Sequence, residues 1–569
     1  MKKIIKSMLL LAAVTAGTAT FVSCGDDDDL AKADALFRPI INVDDNIQQG
    51  LDENKVPYVI VTWDNYTNAN QYTVKMEATD GSDSQELTTN ELTCRFDNLK
   101  YDKEYFVYIS SENTNTGLKS KPYSLTVTTL DYPTSLIALG TTDIIDTQAR
   151  IKWESGVSYD SLAIINDSED AFVTGVAVSD DDNTAAQKVV RNLEPKTSYR
   201  VEAYQGGVYQ GKKRFTTTAA ENYEGAVVDL RGLTESESLK WINAKNLDSL
   251  VQVYPNQDIT IVLQGGVHYR LETVKFTATS NTTGMFKFVT GLSLGGNAIW
   301  NVTGNFDFDN GVEMGGISFE KIEFTDDETK LKTSSNYGGT YLFNPNSSAK
   351  VGTISLKSCT VRYKRGVLRV RSTNEISNFI ADDCIFEYIG GYGITNVDND
   401  GAAIRNIKCT NSTFANCVRL FVNTKSKASS CEKCEIENCT FVYMAGVSRG
   451  LIELQENAVA GGITIKNCIY GSAGEVHTAP QPTADQTGIK GWTGSVVPTV
   501  NDCFFTNDLV WRAKEDGSLD NAFAGTTLST DTKGTFKNPN PEGELMPGDY
   551  TLINDEAIKA KVGDPRWIP

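Results

Sequence analysis

The sequence predicts an all-β molecule: two small antiparallel sandwiches, then a right-handed parallel β-helix closed at its N-terminal end by one helix. Three observations carry this. Short runs of alternating apolar and polar residues, separated by Asn, Asp and Gly, fill residues 31 to about 218. From residue 359 one local pattern recurs at spacings of 25 to 35 residues. Between these two regions lies the one segment with helical periodicity.

Residues 31–130 contain "YVIVTWDNY", "QYTVKMEA" and "NLKYDKEYFVYISSEN", the strand lengths and turn residues of a sandwich. Residues 131–218 repeat the pattern with "ARIKWES" and "NLEPKTSYRVEAY". There Leu193, Pro195, Thr197, Tyr199 and Val201 resemble the tyrosine-corner strand of fibronectin type III domains. Trp63 and Trp153 hold matching early-strand positions, as core tryptophans do. Such a fold does not name a ligand, and the expected role of the pair is a spacer lifting the rest of the molecule off a membrane.

The helix is expected in "TESESLKWINAKNLDSLVQVYP". Thr234 and Glu237 fit a capping box, Leu239, Ile242, Leu247, Leu250 and Val251 give an apolar stripe, and Pro255 stands just past the end. Its expected place is the N-terminal mouth of the β-helix, where the first coil would otherwise leave backbone donors and acceptors open.

The repeat explains "CEKCEIENCTF", residues 431–441, which at first sight offers a zinc or redox CxxC. With Cys439 as column zero, the same pattern places Cys359, Cys384, Ser412, Cys468 and Cys503 in that column. Two residues later stand Val361, Phe386, Phe414, Phe441, Tyr470 and Phe505. Three before it stand Leu356, Ala381, Cys409, Ile436, Ile465 and Val500, and five before it Ile354, Phe379, Ile407, Cys434, Ile463 and Pro498. The residue just before it is always small and polar: Ser358, Asp383, Asn411, Asn438, Asn467 or Asp502. A fainter coil, "ISFEKIEF", puts Ile317, Phe319, Ile322 and Phe324 in the same columns. Stacked coils place like residues above like, so the cysteines read as buried core thiols rather than metal ligands, with no histidine near them.

Through the "NCTF" coils and the opening "ITIVLQGGVHY", residues 219–569 resemble the pectin-lyase-like β-helix superfamily. The terminal "GDPRWIP", with "FTNDLVW", is similar to uncharacterised β-helix lipoproteins found beside polysaccharide-utilisation machinery. That resemblance implies a polysaccharide ligand lying along a sheet face.

At 569 residues the chain exceeds one ordinary core of ~100 to 200 residues. A formal charge of -20 argues against nucleic acid as a partner, since phosphate binding needs a cationic surface. The N-terminus, "MKKIIKSMLLLAAVTAGTATFVSC", has the layout of a secretion signal over residues 1–23. Ending in "FVSC", it resembles a bacterial lipobox and implies lipidation of Cys24. The "GDDDD" of the 24–30 tether is similar to the acidic signal that sends such lipoproteins to the outer face of the outer membrane. The expected partners are a polysaccharide, the membrane through the lipid, and an outer-membrane transporter complex.

The candidate binding residues cluster in "VRYKRGVLRVR". It concentrates Arg362, Lys364, Arg365, Arg369 and Arg371 in an otherwise acidic protein, and Arg419, Lys425 and Arg449 follow on later coils. The alternation Leu368, Arg369, Val370, Arg371 is expected to send the guanidiniums outward, where they suit carboxylates. Tyrosines recur at Tyr363, Tyr388 and Tyr443; their parity favours core or corner stacking, with Tyr388 also a candidate sugar contact. Asp398 and Asp400 are the candidates for calcium, and no other cofactor is expected. With His268 and His477 alone, a histidine-based triad is not supported. The expected function is capture of a glycan, with a uronate-rich polymer as the candidate, at the cell surface. The alternatives are a lyase acting by β-elimination with a base from the strip, and a non-catalytic adhesin.

Overall fold

A computed structural model describes residues 35–233, 235–326, 337, 339–425, 430–444, 449–455, 459–474, 487–490, 498–512, 522–542 and 545–569. Cys24, Thr234 and His477, and the signal and tether, lie outside the described residues, as does the side chain of Leu239. The chain divides into two compact units, one holding the first sandwich and the other the second sandwich with the β-helix.

The first sandwich is built from antiparallel pairs, among them Gln71–Ala78 with Glu104–Asn113. Its core contains Val59, Trp63, Tyr72, Phe96 and Val107. In the second sandwich Ser161–Asn166 pairs with Ser198–Gln205 over Trp153, Leu162, Tyr199 and Val201. The Tyr199 hydroxyl accepts from the amide of Glu194 at 2.9 Å, so the tyrosine corner is present. The first sandwich has the same device, because Tyr105 accepts from the amide of Lys100 at 3.2 Å. Both are fibronectin type III-like sandwiches, and the aligned spacing of "NLKYDKEY" and "NLEPKTSY" carried the signal for Tyr105 as well.

From Ala226 onward the chain winds as a parallel β-helix. Among the described residues it forms three parallel sheets of ten, ten and eight strands. The first sheet starts at Ala226–Asp229, the second at His268–Leu271 and the third at Val274–Phe276. The pairing register is the one the repeat requires. Ile317, Ile354, Phe379, Ile407, Cys434 and Ile463 align coil by coil, as do Phe324, Val361, Phe386, Phe414, Phe441, Tyr470 and Phe505. The rings stack inside, with Phe386 to Phe414 at 5.1 Å and Phe441 to Tyr470 at 4.7 Å between centroids.

The column-zero and preceding residues form one corner device. Ser358, Asp383, Asn411, Asn438, Asn467 and Asp502 all have φ between 50° and 55°, a left-handed conformation that short polar residues tolerate. The following side chain turns back to donate to the carbonyl two residues before it: Cys439 Sγ to Glu437 at 3.3 Å, Cys468 Sγ to Lys466 at 3.2 Å and Ser412 Oγ to Thr410 at 2.6 Å. A small buried donor is what the corner needs, which is why serine replaces cysteine there. The amides also link coils, Asn438 Nδ2 donating to Asn411 Oδ1 at 3.0 Å and Asn467 Nδ2 to Asn438 Oδ1 at 2.9 Å. Burial pushes the Cys431 thiol up to about 12 and that of Cys434 well above its usual value, so neither is a nucleophile at neutral pH.

The expected single helix is two, Glu235–Trp241 and Ala244–Val253. The break falls at Asn243, whose side chain accepts from the amide of Asn246 and so caps a second helix instead of continuing the first. Ile242, Leu247 and Val251 pack on Ile259, Tyr269 and Phe276, closing the first coil.

The second sandwich is joined to the β-helix by buried polar contacts. Arg231 is 5% exposed and meets the Asp146 carboxylate through both terminal nitrogens at 2.8 and 3.0 Å, and Gln148 Nε2 donates to Gln264 Oε1 at 2.6 Å. The sequence reading of that domain as a plain spacer missed this lock.

Candidate functional site

The eleven residues of "VRYKRGVLRVR" span a corner, and the structure sends them to three different places. Thr360–Lys364 lies on the second sheet and Gly366–Val370 on the third. At Tyr363 the backbone turns left-handed, φ 60°, which breaks the inward-outward alternation.

Lys364 is therefore not on the surface. It enters the interior column of Ile389 and Cys417, fully buried, and this corrects its assignment as a sugar contact. Its ammonium donates to Val302 O at 2.8 Å and Thr340 Oγ1 at 3.1 Å and faces the buried Asp326 carboxylate at 3.4 Å. Burial outweighs that carboxylate and lowers Lys364 to about 8.

Arg362 and Tyr388 are also corrected, for a different reason. They lie on the outer face of the second sheet, which the C-terminal segment covers. Strands Phe536–Asn538 and Asp549–Leu552 with helix Asp555–Ala560 pack Leu528, Phe536, Tyr550 and Val562 against Ala415, Val442 and Ile469. Arg362 Nε donates to Glu387 at 2.7 Å, and the buried Glu387 also accepts from Tyr550 Oη at 2.8 Å and Gly548 N at 3.0 Å. Tyr388 stacks on Tyr363 at 5.5 Å, and its hydroxyl donates to Met546 O at 2.6 Å. The "GDPRWIP" end closes the cover: Thr413 Oγ1 donates to Asp564 at 2.8 Å, and Trp567 Nε1 donates to Thr413 Oγ1 at 2.7 Å.

The remaining three arginines come together. Leu368 and Val370 point inward and are buried, while Arg369 and Arg371 stay half-exposed, as the alternation predicted. Arg365 and Arg369 both lie over Tyr392, their Cζ atoms 4.6 and 4.5 Å from its ring centroid, and both lie 5.6 Å from that of Tyr341. Tyr341 and Tyr392 meet edge to face at 5.3 Å. Gly393, at φ 73° and tight against the Arg419 carbonyl, lets the chain turn directly after Tyr392. Arg419 supports this turn, donating to the carbonyl of Gly391 and pairing with the buried Glu453 at 2.7 Å. It positions the cluster rather than extending it.

Arg369 Nε donates to Asp398 Oδ2 at 2.8 Å and Nη2 reaches the same oxygen. Asp398 is thereby held by a guanidinium, not poised as a cation ligand, and Asp400 is exposed. Among the described residues no three His, Cys, Asp or Glu side chains converge as a metal site. Lys425 and Arg449 are exposed on later coils and His268 is exposed on the first. Among the described residues the Arg371 guanidinium makes a single hydrogen bond, Nη2 to Asn344 O at 3.3 Å, and that of Arg365 one to the Tyr392 hydroxyl at 3.4 Å. The Nε atoms of both are buried without a partner. Of the three guanidiniums, among the described residues only that of Arg369 is paired with a carboxylate, and they lie beside two aromatic rings, an arrangement suited to an anion carried on a flat ring. Sequence reasoning missed Tyr341 and Tyr392, which belong to neighbouring coils; the glycines of "GGYG" were the available signal.

Comparison with known proteins gives two family models. Domain of unknown function (DUF4957) matches residues 304–417, which include the whole arginine–tyrosine cluster, and Domain of unknown function (DUF5123) matches residues 434–567, which include the last coils and the closing segment. No curated protein matches. Among solved structures, the chicken CNTN1 FN1–FN3 domains are 15% identical over 33% of this chain and 69% of that one, with a TM-score of 0.15. A two-domain fibronectin type III segment of chicken tenascin is 16% identical over 31% of this chain and all of that one, also at 0.15.

Proposed function

We propose that the protein is a cell-surface lipoprotein whose β-helix captures an acidic, uronate-containing polysaccharide, handing it to a transporter or degrading partner. The observation that carries the reading is the cluster of Arg365, Arg369, Arg371 and Tyr392, half-exposed over the buried Tyr341 along the third sheet of a protein of net charge -20. A local cationic surface in an acidic molecule opposes its surroundings, and guanidiniums over aromatic faces suit both the carboxylate and the apolar face of a uronate. The N-terminal sequence supports anchoring through Cys24 in the outer membrane, facing outward. Among the described residues no helix is long and apolar enough to cross a membrane.

Affinity electrophoresis of the mature chain through gels holding polygalacturonate, hyaluronan, sulfated dextran or neutral dextran tests capture. Retardation by the uronate polymers and free migration in neutral dextran are expected; equal mobility in all gels overturns the reading. Labelling of cells with radioactive palmitate should mark the protein and fail with Cys24→Ala; an unlabelled wild type removes the anchor.

A further inference from the structure

Within the proposed glycan site the arginines are not equivalent. Arg369 is committed to Asp398 through two nitrogens of its guanidinium. Among the described residues the Arg371 guanidinium pairs with no carboxylate, donates one hydrogen bond of 3.3 Å to a backbone oxygen, and has its buried Nε without a partner. We infer that Asp398 is an internal counter-ion that competes with the ligand, and that the ligand's carboxylate is received by Arg371 while Arg369 serves as the fixed positioning group. This rests on the acidic-glycan reading above and adds the identity and the sign of the residues that set affinity.

The physical argument is one of unbalanced charge. A half-buried guanidinium loses water and recovers that cost through a carboxylate that presents two oxygens to its fork. Arg369 has this arrangement in part, and Arg371 does not. Burial and the neighbouring charge of Arg369 both disfavour the protonated form of Arg371, so its charge is poorly compensated in the ligand-free protein. Asp307, half-buried nearby, offsets part of that charge through space, with no hydrogen bond to Arg371 among the described residues. An incoming carboxylate would compensate Arg371, with its sugar ring against the half-exposed Tyr392, and would be repelled by Asp398.

The inference fixes opposite signs for two substitutions. In calorimetric titration of the full mature chain with oligogalacturonate, Asp398→Asn should tighten binding, by about fivefold for one like charge removed near the surface. Arg371→Ala should weaken it by about tenfold, with Arg371→Lys intermediate because the fork is lost. Lys466→Ala, on the first sheet, should leave it unchanged. If Asp398→Asn weakens binding as Arg369→Ala does, Asp398 only orients Arg369 and the inference fails. Unaltered affinity in Arg371→Ala also overturns it while leaving glycan capture standing. Binding of sulfated dextran without oligogalacturonate overturns the carboxylate assignment. A wild type that binds neither polymer overturns the inference and the proposed function together.

Discussion

The outer faces of the second and third sheets begin with similar materials, arginines and tyrosines on adjacent coils, and end with opposite roles. On the second sheet Arg362, Tyr363 and Tyr388 are enclosed by the C-terminal segment, their polar atoms taken up by Glu387, Leu545 and Met546. On the third, Arg365, Arg369 and Arg371 remain half-exposed around Tyr341 and Tyr392, with Arg369–Asp398 the one ion pair among them in the described residues. Residue type alone does not leave a face open. What decides is whether a neighbouring coil supplies the counter-ion and later chain the cover, and here Glu387 and residues 545–569 do so for one face of the pair.

The comparison is most open to challenge through Glu387. Because it accepts from Arg362, Tyr550 and Gly548 while buried, Glu387→Ala should cost about 3–5 kcal/mol in urea unfolding, the usual cost of leaving a buried charge unpaired. A loss below ~1 kcal/mol would mean the cover is not held there.

A pH effect follows from Asp564, which burial between the closing segment and the second sheet raises from 3.8 to about 6. Its folded value lies above its unfolded one, so its contribution is full below pH 3.8 and is lost as pH rises through about 6. The loss is at most about 3 kcal/mol. Thermal melts should show that decline between pH 4 and 6 in the wild type and a shallower one in Asp564→Asn; identical slopes would contradict it.

Arg369→Ala sharpens the contrast from the other side. Its half-exposed pair with Asp398 should cost no more than ~1 kcal/mol of stability, while affinity for polygalacturonate falls about tenfold. A stability loss as large as that of Glu387→Ala would make the third sheet structural too. The smallest effect is expected inside the coil: Cys439→Ser should cost about 1 kcal/mol or less, since Ser412 already fills the same column with a hydroxyl donor. A much larger loss would show that the column requires sulfur.

Interior order was legible because it repeats. Each coil reports the same columns, and six left-handed corners preserve small polar residues even where the thiol becomes a hydroxyl. The outer surface has no such redundancy. Parity placed Arg369 correctly but failed at Lys364, because the left-handed turn at Tyr363 inserts one residue and reverses the direction of the next side chain. Burial of Arg362 and Tyr388 depended on a segment about 160 residues downstream in sequence, as the Tyr388 to Met546 contact shows, and no local pattern announces such a contact. The helix break at Asn243 was readable in principle, since asparagine is a strong cap, yet an apolar stripe running through it gave the stronger signal.

Hydrogen–deuterium exchange of the mature protein with and without polygalacturonate tests the central claim most directly, because it reports which face the polymer occupies. Slowed exchange in peptides covering residues 365–371 and 392–398, with residues 545–569 unchanged, is the predicted result. Protection confined to the C-terminal segment or to either sandwich would contradict it.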